Sequence, residues 1–427
     1  MRLGTVSDIL TGFPFKSAEF TNSSADPYLL RGDNIGQGVL RWEGAKHWPA
    51  QKSKATSPYW LAEDDIVVAM DRPWIDAGLK FAAVRQGDLP ALLVQRVARL
   101  RGTRTLDVRF LRYVVAGKAF TDYILGVQTG TAVPHISRSQ IEAFEFNLPT
   151  LDEQRAIASI LGALDDKIEL NRKMSATLEA IARALFKSWF VDFDPVRAKA
   201  EGRDPGLPAD IAALFPDSWN VGSVSSVPAG WETNGLDDIA IFLNGLALQK
   251  FPPKDGAATL PVIKIAQLRA GHSSGADRAS TNVPRDYVIG NGDILFSWSG
   301  SLECHIWTGG PGALNQHLFK VSGTRVPSWF AYLAVHEHLS EFRHIAASKA
   351  TTMGHIQRHH LHEAKITVPP LGLIEAASSF IGPMIEASWT RRLQCSTLAA
   401  LRDALLPKLI SGELRVGEAE RVLAASA

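Results

Sequence analysis

This chain repeats itself, and that constrains its fold more than any other feature. "LGTVSDILTG" at 3–12 matches "LDDIAIFLNG" at 236–245, apolar opposite apolar and glycine opposite glycine. "EDDIVVAM" at 63–70 matches "GNGDILFS" at 290–297, aligning Asp65 and Ile66 with Asp293 and Ile294. "GTAVPHISRSQIEAFEFNLP" at 130–149 matches "ATTMGHIQRHHLHEAKITVP" at 350–369, aligning His135 and Ile136 with His355 and Ile356. The spacing then holds without a gap through "ALFKSWFVDFDPV" at 184–196 and "ALLPKLISGELRV" at 404–416. Matches in one shared order are hard to produce by chance, so the chain is a duplicated unit whose architecture is built twice.

Each half follows one plan. Short β-like runs such as "DIVVAM" and "DILFSW", with Gly/Asn/Asp turns and a few helical stretches, fill about 140 residues. An apolar strand ending in proline closes them, "FEFNLP" in one copy and "AKITVPP" in the other. The apolar period then changes from two toward seven. In the first copy the helix starts at "PTLDEQ", where Thr150 or Asp152 can cap and Glu153 suits the helix dipole. A heptad row follows, Ile157, Leu164, Asn171, Leu178 and Leu185, flanked by Leu161, Ile168, Ser175, Ala182 and Trp189. Such a stripe is the seam of a long helix packed lengthwise on another, and Asn171 in its middle sets one register at some cost in stability. In the second copy Ile381, Met384, Leu398, Leu401 and Leu405 continue the stripe, and Arg391 stands where Asn171 does. Pro383 predicts that this helix starts later or bends. Between the halves, a stretch rich in Pro, Gly, Ser and Ala reads as a linker with one short helical turn.

The expected fold is α+β: two globular mixed α/β domains separated by two long antiparallel helices, an internal tandem repeat with pseudo-two-fold symmetry. The globular domains span 1–150 and 229–370, the helices 151–196 and 371–416, the linker 197–228 and a C-terminal tail 417–427.

A chain of 427 residues with 46% hydrophobic and 21% charged content has the makings of two or more folded cores. Net charge of +1 says little, because nucleic-acid binding depends on where charge lies. Locally, "RVARLRGTRTLDVRFLR" at 96–112 holds six arginines against one aspartate, and 343–365 is similarly basic. Solvated helix faces or a nucleic-acid surface would each explain such runs. Cys304 and Cys395 cannot build a disulfide framework, and neither a secretory signal nor a membrane span is evident, so a cytoplasmic protein is expected. Phosphate-cradling GxxxxGK[ST], dinucleotide GxGxxG, the Asn/Asp-Pro-Pro-aromatic segment of amino-methyltransferases and zinc-protease HExxH are missing, which speaks against an enzyme. His355, His359, His360 and His362 form a histidine cluster; a helix would bring His355 and His359 to one face in a metal-ligand arrangement. A basic surface helix explains them as well. With no cysteine near and only His135 in the first copy, no metal is assigned.

The two variable regions, each followed by a long helix, together with "TGTAVPHIS", "NLPTLDEQRAIASILGALDDKIELNRK", "LEAIARALFKSWFVDFDPV" and "LRDALLPKLISGEL", resemble the specificity (S) subunit of type I restriction-modification enzymes. The resemblance covers nearly the whole chain and is sharpest in the helices. The second copy departs from the pattern at Pro383, at Gly354 in the place of Pro134, and in lacking a pair opposite Glu153 and Gln154. The resemblance implies a non-catalytic subunit whose globular parts are target recognition domains, each reading half of a bipartite double-stranded DNA site. It also implies helices that set the spacing and dock two methyltransferase (M) subunits using S-adenosylmethionine, and restriction (R) subunits using ATP and Mg. Divergence between the halves predicts an asymmetric target. A coiled-coil adaptor with protein-binding ends would share the helices and the repeat but lack DNA specificity.

Base readout requires Arg, Lys, Asn, Gln or Ser side chains at base edges. Candidates in paired positions are Arg31 and Asn34 opposite Lys264 and Gln267, then Arg72 and Trp74 in one strand-following loop and Ser297, Trp298 and Ser299 in the other. Arg138 and Arg358 follow the matched histidines. Leu164, Ile168, Asn171, Leu178, Leu185, Trp189, Phe190, Leu398 and Leu405 are the candidate seam and docking residues. Phe186, Phe190 and Phe193 lie off or beyond the seam, so burial partly against a recognition domain and partly under an M subunit is expected.

Overall fold

The computed structural model describes residues 1–75, 77–130, 132–220, 227–348 and 354–426. Residues 221–226 of the expected linker and 349–353 of the second basic stretch lie outside these. The chain divides into two compact units, Met1–Ile168 with Thr397–Ala427, and Glu169–Ser396. Each contains one globular domain and a stretch of both long helices, Leu151–Phe190 and Ile381–Ser411.

In the first unit an antiparallel sheet runs in the order Asp8–Thr11, Val97–Arg101, Ile66–Ala69, Phe81–Ala83. In the second, Ala240–Asn244, Leu318–Gly323, Ile294–Ser297 and Cys304–Ile306 repeat that order and direction. Strand Ile66–Ala69 is buried throughout, Ile66 and Val68 packing with Phe110 and Leu161, Val67 and Ala69 with Leu30 and Leu93. Burial of both faces is why "DIVVAM" is a continuous apolar run. The turns before the matched strands are held alike: Asp65 accepts from the Ala62 amide at 2.8 Å, Asp293 from the Gly290 amide at 2.8 Å. The matched glycines have one cause, since a Cβ on Gly12 would lie 2.1 Å from the Val94 carbonyl oxygen and one on Gly245 2.2 Å from that of Asn315.

Thr150 caps the first long helix, its Oγ1 accepting from the Glu153 amide at 3.4 Å while Glu153 accepts from the Thr150 amide at 3.1 Å. Fully buried Gln154 accepts from the Asp107 amide at 2.8 Å and donates to the Thr105 and Pro149 carbonyls, tying helix to domain. Along this helix Ile157, Leu161, Leu164, Ile168, Asn171, Ser175, Ala182 and Trp189 are buried, with Leu178 and Leu185 half-buried. In the first unit Leu164 packs in one cluster with Leu405 and half-buried Leu398. In the second, Asn171 donates to Gln394 at 3.2 Å and accepts from Arg391 at 3.4 Å, and Ser175 donates to the Ser388 carbonyl at 2.8 Å. The equivalent polar positions Asn171 and Arg391 thus meet, and rising numbers on one helix pair with falling numbers on the other.

One local outcome meets the expectation drawn from Pro383, and two differ. The second helical region breaks after Leu371–Ser378 and restarts at Ile381, which places Pro383 in a first turn, where its missing N–H costs nothing. The expected linker, mostly exposed, carries the short helix Ala209–Ala212 and adds Ile211, Phe215 and Val227 to the core at the aromatic end of the first long helix, which continues through helix Asp194–Ala200. Because that stretch folds back, Phe186, Trp189, Phe190 and Phe193 are only 2, 5, 0 and 9% exposed. Trp189 and Phe190 therefore leave no face for a docked subunit, correcting the shared-burial expectation.

Beside this core, Glu179 accepts from Tyr332 at 2.8 Å, and Arg183 meets the Nε2 of half-buried His336 at 3.4 Å. Burial first, then the Arg183 guanidinium, lowers the His336 pKa from 6.5 to about 3, against the opposing pull of Glu179. The folded state thus excludes a proton that the unfolded chain accepts. Stability is whole above about pH 6.5 and is lost as pH falls toward 3, at most about 1.4 kcal/mol per unit. Urea titrations should show His336→Phe flattening this acid limb; an unchanged slope would refute it. Among the described residues, no helix is long and apolar enough to cross a membrane.

Candidate nucleic-acid interface

In the first globular domain, loops beyond the sheet enclose a cleft of about 520 Å³ lined by Arg31, Asp33, Asp71, Arg72, Lys80 and Arg96, with Phe15 and Phe20 at its side. Arg31 pairs with Asp33 at 3.6 Å, and Arg96 with Asp71 at 3.5 Å. Lys80 is 9% exposed, and neither its ammonium nor the Arg72 guanidinium has a hydrogen bond or ion pair among the described residues. Arg72 is left-handed at φ 45°, a conformation costing a non-glycine residue about 1 kcal/mol and pointing to a functional constraint.

Backbone hydrogen bonds identify the counterparts of this cleft in the second domain. The Ala69 amide donates to Lys80 and the Ser297 amide to Glu303, so Lys80 corresponds to Glu303. Arg72 donates to the Pro134 carbonyl and Gly300 to that of Gly354, so arginine corresponds to glycine, both left-handed. Met70 donates to Arg96 and Trp298 to His317, so the pair Asp71 with Arg96 is replaced by Ser299 with His317, Oγ to Nδ1 at 3.0 Å. One frame carries two different linings. In the second domain Glu303 is occupied, 3.3 Å from Arg343 and 3.8 Å from Arg269.

The candidates divide by what their side chains already do. Arg31 and Lys264 occupy equivalent turns, where their amides donate to the side chains of Asn34 at 3.0 Å and Gln267 at 3.3 Å. Asn34 is 9% exposed and also donates to the Arg41 carbonyl, so its amide holds the turn. Lys264 pairs with Asp277 at 2.5 Å. Trp74 is exposed beside Ile75 on a short hairpin. Fully buried Ser297 donates to the Ser301 carbonyl at 2.8 Å, Trp298 donates to Asn244 and the Gln316 carbonyl, and Ser299 is 3% exposed. These three brace their loop from inside instead of facing solvent. Arg138 pairs with Glu142 at 2.6 Å, and Arg358 lies over the Phe319 ring while donating to the Phe242 carbonyl.

Three of the six arginines in the basic run at 96–112 serve internal aspartates, while Arg96 lines the cleft and Arg104 and Arg109 are exposed. Arg99 pairs with Asp8 at 2.6 Å, Arg101 with Asp65, and Arg112 with Asp165 at 3.0 Å. His355 precedes the helix Arg358–Glu363, so the one-face arrangement of His355 and His359 does not form. His360 instead accepts from the Gln357 amide at 2.8 Å. "GHSSG" at 271–275 has the spacing of a serine nucleophile elbow, yet it follows helix Ile265–Ala270 in a turn and joins no strand to a helix. Lys80 and Arg269 did not enter the candidates, and Arg96 and Arg343 figured only within the basic runs at 96–112 and 343–365. Lysine inside the apolar run "GLKFAAV" was the one available signal for Lys80.

The two globular domains repeat one frame with two different linings. The family model described as "Type I restriction modification DNA specificity domain" matches residues 1–180 and 228–374, and the chain belongs to that family, a non-catalytic one. It is 27% identical over 319 residues to the type I restriction enzyme MjaIX specificity subunit of Methanocaldococcus jannaschii, covering 72% of this chain and 69% of that one. It is 26% identical over 354 residues to the HindI specificity subunit of Haemophilus influenzae, covering 71% and 77%. The crystal structure of the type I restriction-modification S subunit from M. genitalium superposes with a TM-score of 0.54 at 15% identity over 96% of this chain and 95% of that one, a likeness of fold.

Proposed function

We propose that this chain is the DNA sequence-specificity subunit of a type I restriction-modification system, each globular domain reading one half of an asymmetric bipartite site. The carrying observation is one frame with unlike residues at equivalent positions, Arg72, Lys80 and Arg96 against Gly300, Glu303 and His317. Identical frames present loops in the same way, while changed charge and hydrogen-bonding groups select different bases. Of the first-domain candidates, Arg31, Arg72, Trp74 and Arg138 retain exposed side chains, as do Lys264 and Arg358 in the second.

The long helices set the gap between half-sites and dock two M subunits. Leu170, Met174 and Ile181, exposed by 49, 36 and 43% on the first helix, supply an apolar face away from the seam. The chain is not itself an enzyme: it directs adenine-N6 methylation by M subunits with S-adenosylmethionine, and ATP- and Mg-dependent cleavage with R subunits, in the cytoplasm. Sequencing of methylated bases in cells producing this chain with its M subunit should return an asymmetric, gapped motif. A palindromic motif would sink the two-lining account, and absence of salt-dependent DNA affinity would favour the protein-binding adaptor.

A further inference from the structure

We propose that the first globular domain clamps one DNA backbone phosphate between Arg72 and Lys80, a subsite the second domain lacks; this rests on the DNA-recognition function above. The cleft holds the cations Arg31, Arg72, Lys80 and Arg96 against the anions Asp33 and Asp71. Arg31 pairs with Asp33 and Arg96 with Asp71, which leaves Arg72 and Lys80 without an ion pair of their own among the described residues. Burying an ammonium to 9% exposure without a partner is costly, and proteins keep such a group where an incoming anion repays the cost. Burial lowers the Lys80 pKa and the Arg72 charge adds to this, opposed by Asp33 and Asp71; a bound anion would reverse it.

The backbone makes the same point independently. At the equivalent left-handed position the second domain uses glycine, the residue that position prefers, whereas the first domain keeps an arginine there. Glu303 holds the position equivalent to Lys80 and is engaged by Arg343 and Arg269, so the second domain offers no matching buried ammonium. A guanidinium and an ammonium lining one cleft with no ion pair among the described residues suit the charged oxygens of phosphate better than the neutral acceptors of a base edge.

The test uses the purified complex with its M subunit and a duplex carrying the methylated motif. Affinity is measured against salt for Lys80→Met, which keeps the stem, and Arg72→Gly, which installs the other copy's residue. Each variant should bind about tenfold more weakly, and the pair together should lower the salt slope by about 0.9, the release expected for one phosphate. The motif should be unchanged, and thermal stability should hold or rise because an unpaired buried charge or a strained residue is gone. An unchanged slope, a motif relaxed at one base pair, or a fall in melting temperature would overturn the phosphate clamp. A wild-type complex without salt-dependent binding would sink the recognition function itself.

Discussion

Phe190→Ala is expected to cost about 4 kcal/mol of the stability of the second unit. Phe190 is 0% exposed, with ring centroids of Phe186 at 5.4 Å, Phe330 at 5.3 Å and Trp231 at 6.1 Å. The neighbours come from the same helix, from helix Ser328–Ser348 and from the folded-back stretch after the long helix, so no single element can relax to fill the space. A dry cavity remains, which places the cost in the range of about 3–5 kcal/mol for a buried aromatic. Urea unfolding followed by tryptophan fluorescence reads this directly, because Trp189 and Trp231 belong to the same cluster. A loss under about 1 kcal/mol would mean that the cluster repacks around the gap.

Asp165→Asn should be nearly as damaging in the first unit. The Asp165 carboxylate accepts from Arg402 at 2.7 Å, Arg112 at 3.0 Å and the Tyr113 hydroxyl at 2.8 Å, joining both long helices to the domain helix Val108–Ala116. Burial and then this carboxylate hold the Tyr113 phenol neutral far above neutral pH. With Asp165 14% exposed and the two arginines 33 and 29%, the amide would leave two half-buried guanidinium groups without their anion. Removing one partner of a buried pair costs about 3–5 kcal/mol, and partial hydration of the arginines brings the expectation to about 3 kcal/mol. Thermal unfolding of the first unit should register it. Stability equal to wild type would show that water replaces the carboxylate.

Much of the architecture was legible before any coordinates. The row from Ile157 to Trp189 is buried or half-buried in the alternation its spacing dictates, because a helix converts a period of seven into a face. Gly12 and Gly245, Asp65 and Asp293, and Thr150 with Glu153 have the structural jobs their positions implied, since each depends on backbone within a few residues or on one close approach. The interface was less legible. Ser297, Trp298 and Ser299 have suitable chemistry for base readout but turn inward, and three arginines of the basic run serve internal aspartates.

By itself the sequence determined the duplication, the two helices, the polar register marker Asn171 and the family. All of these follow from residue identity and period along the chain. Tertiary structure alone decided that Ile211, Phe215 and Val227 of the presumed linker join the core, that Phe190 is closed to partners, and that Lys80 lines a cleft with Arg72 and has no ion pair among the described residues. These depend on which distant charges and rings arrive at the same place, and partners such as Asp8 with Arg99 or Phe190 with Phe330 are chosen by packing across many residues.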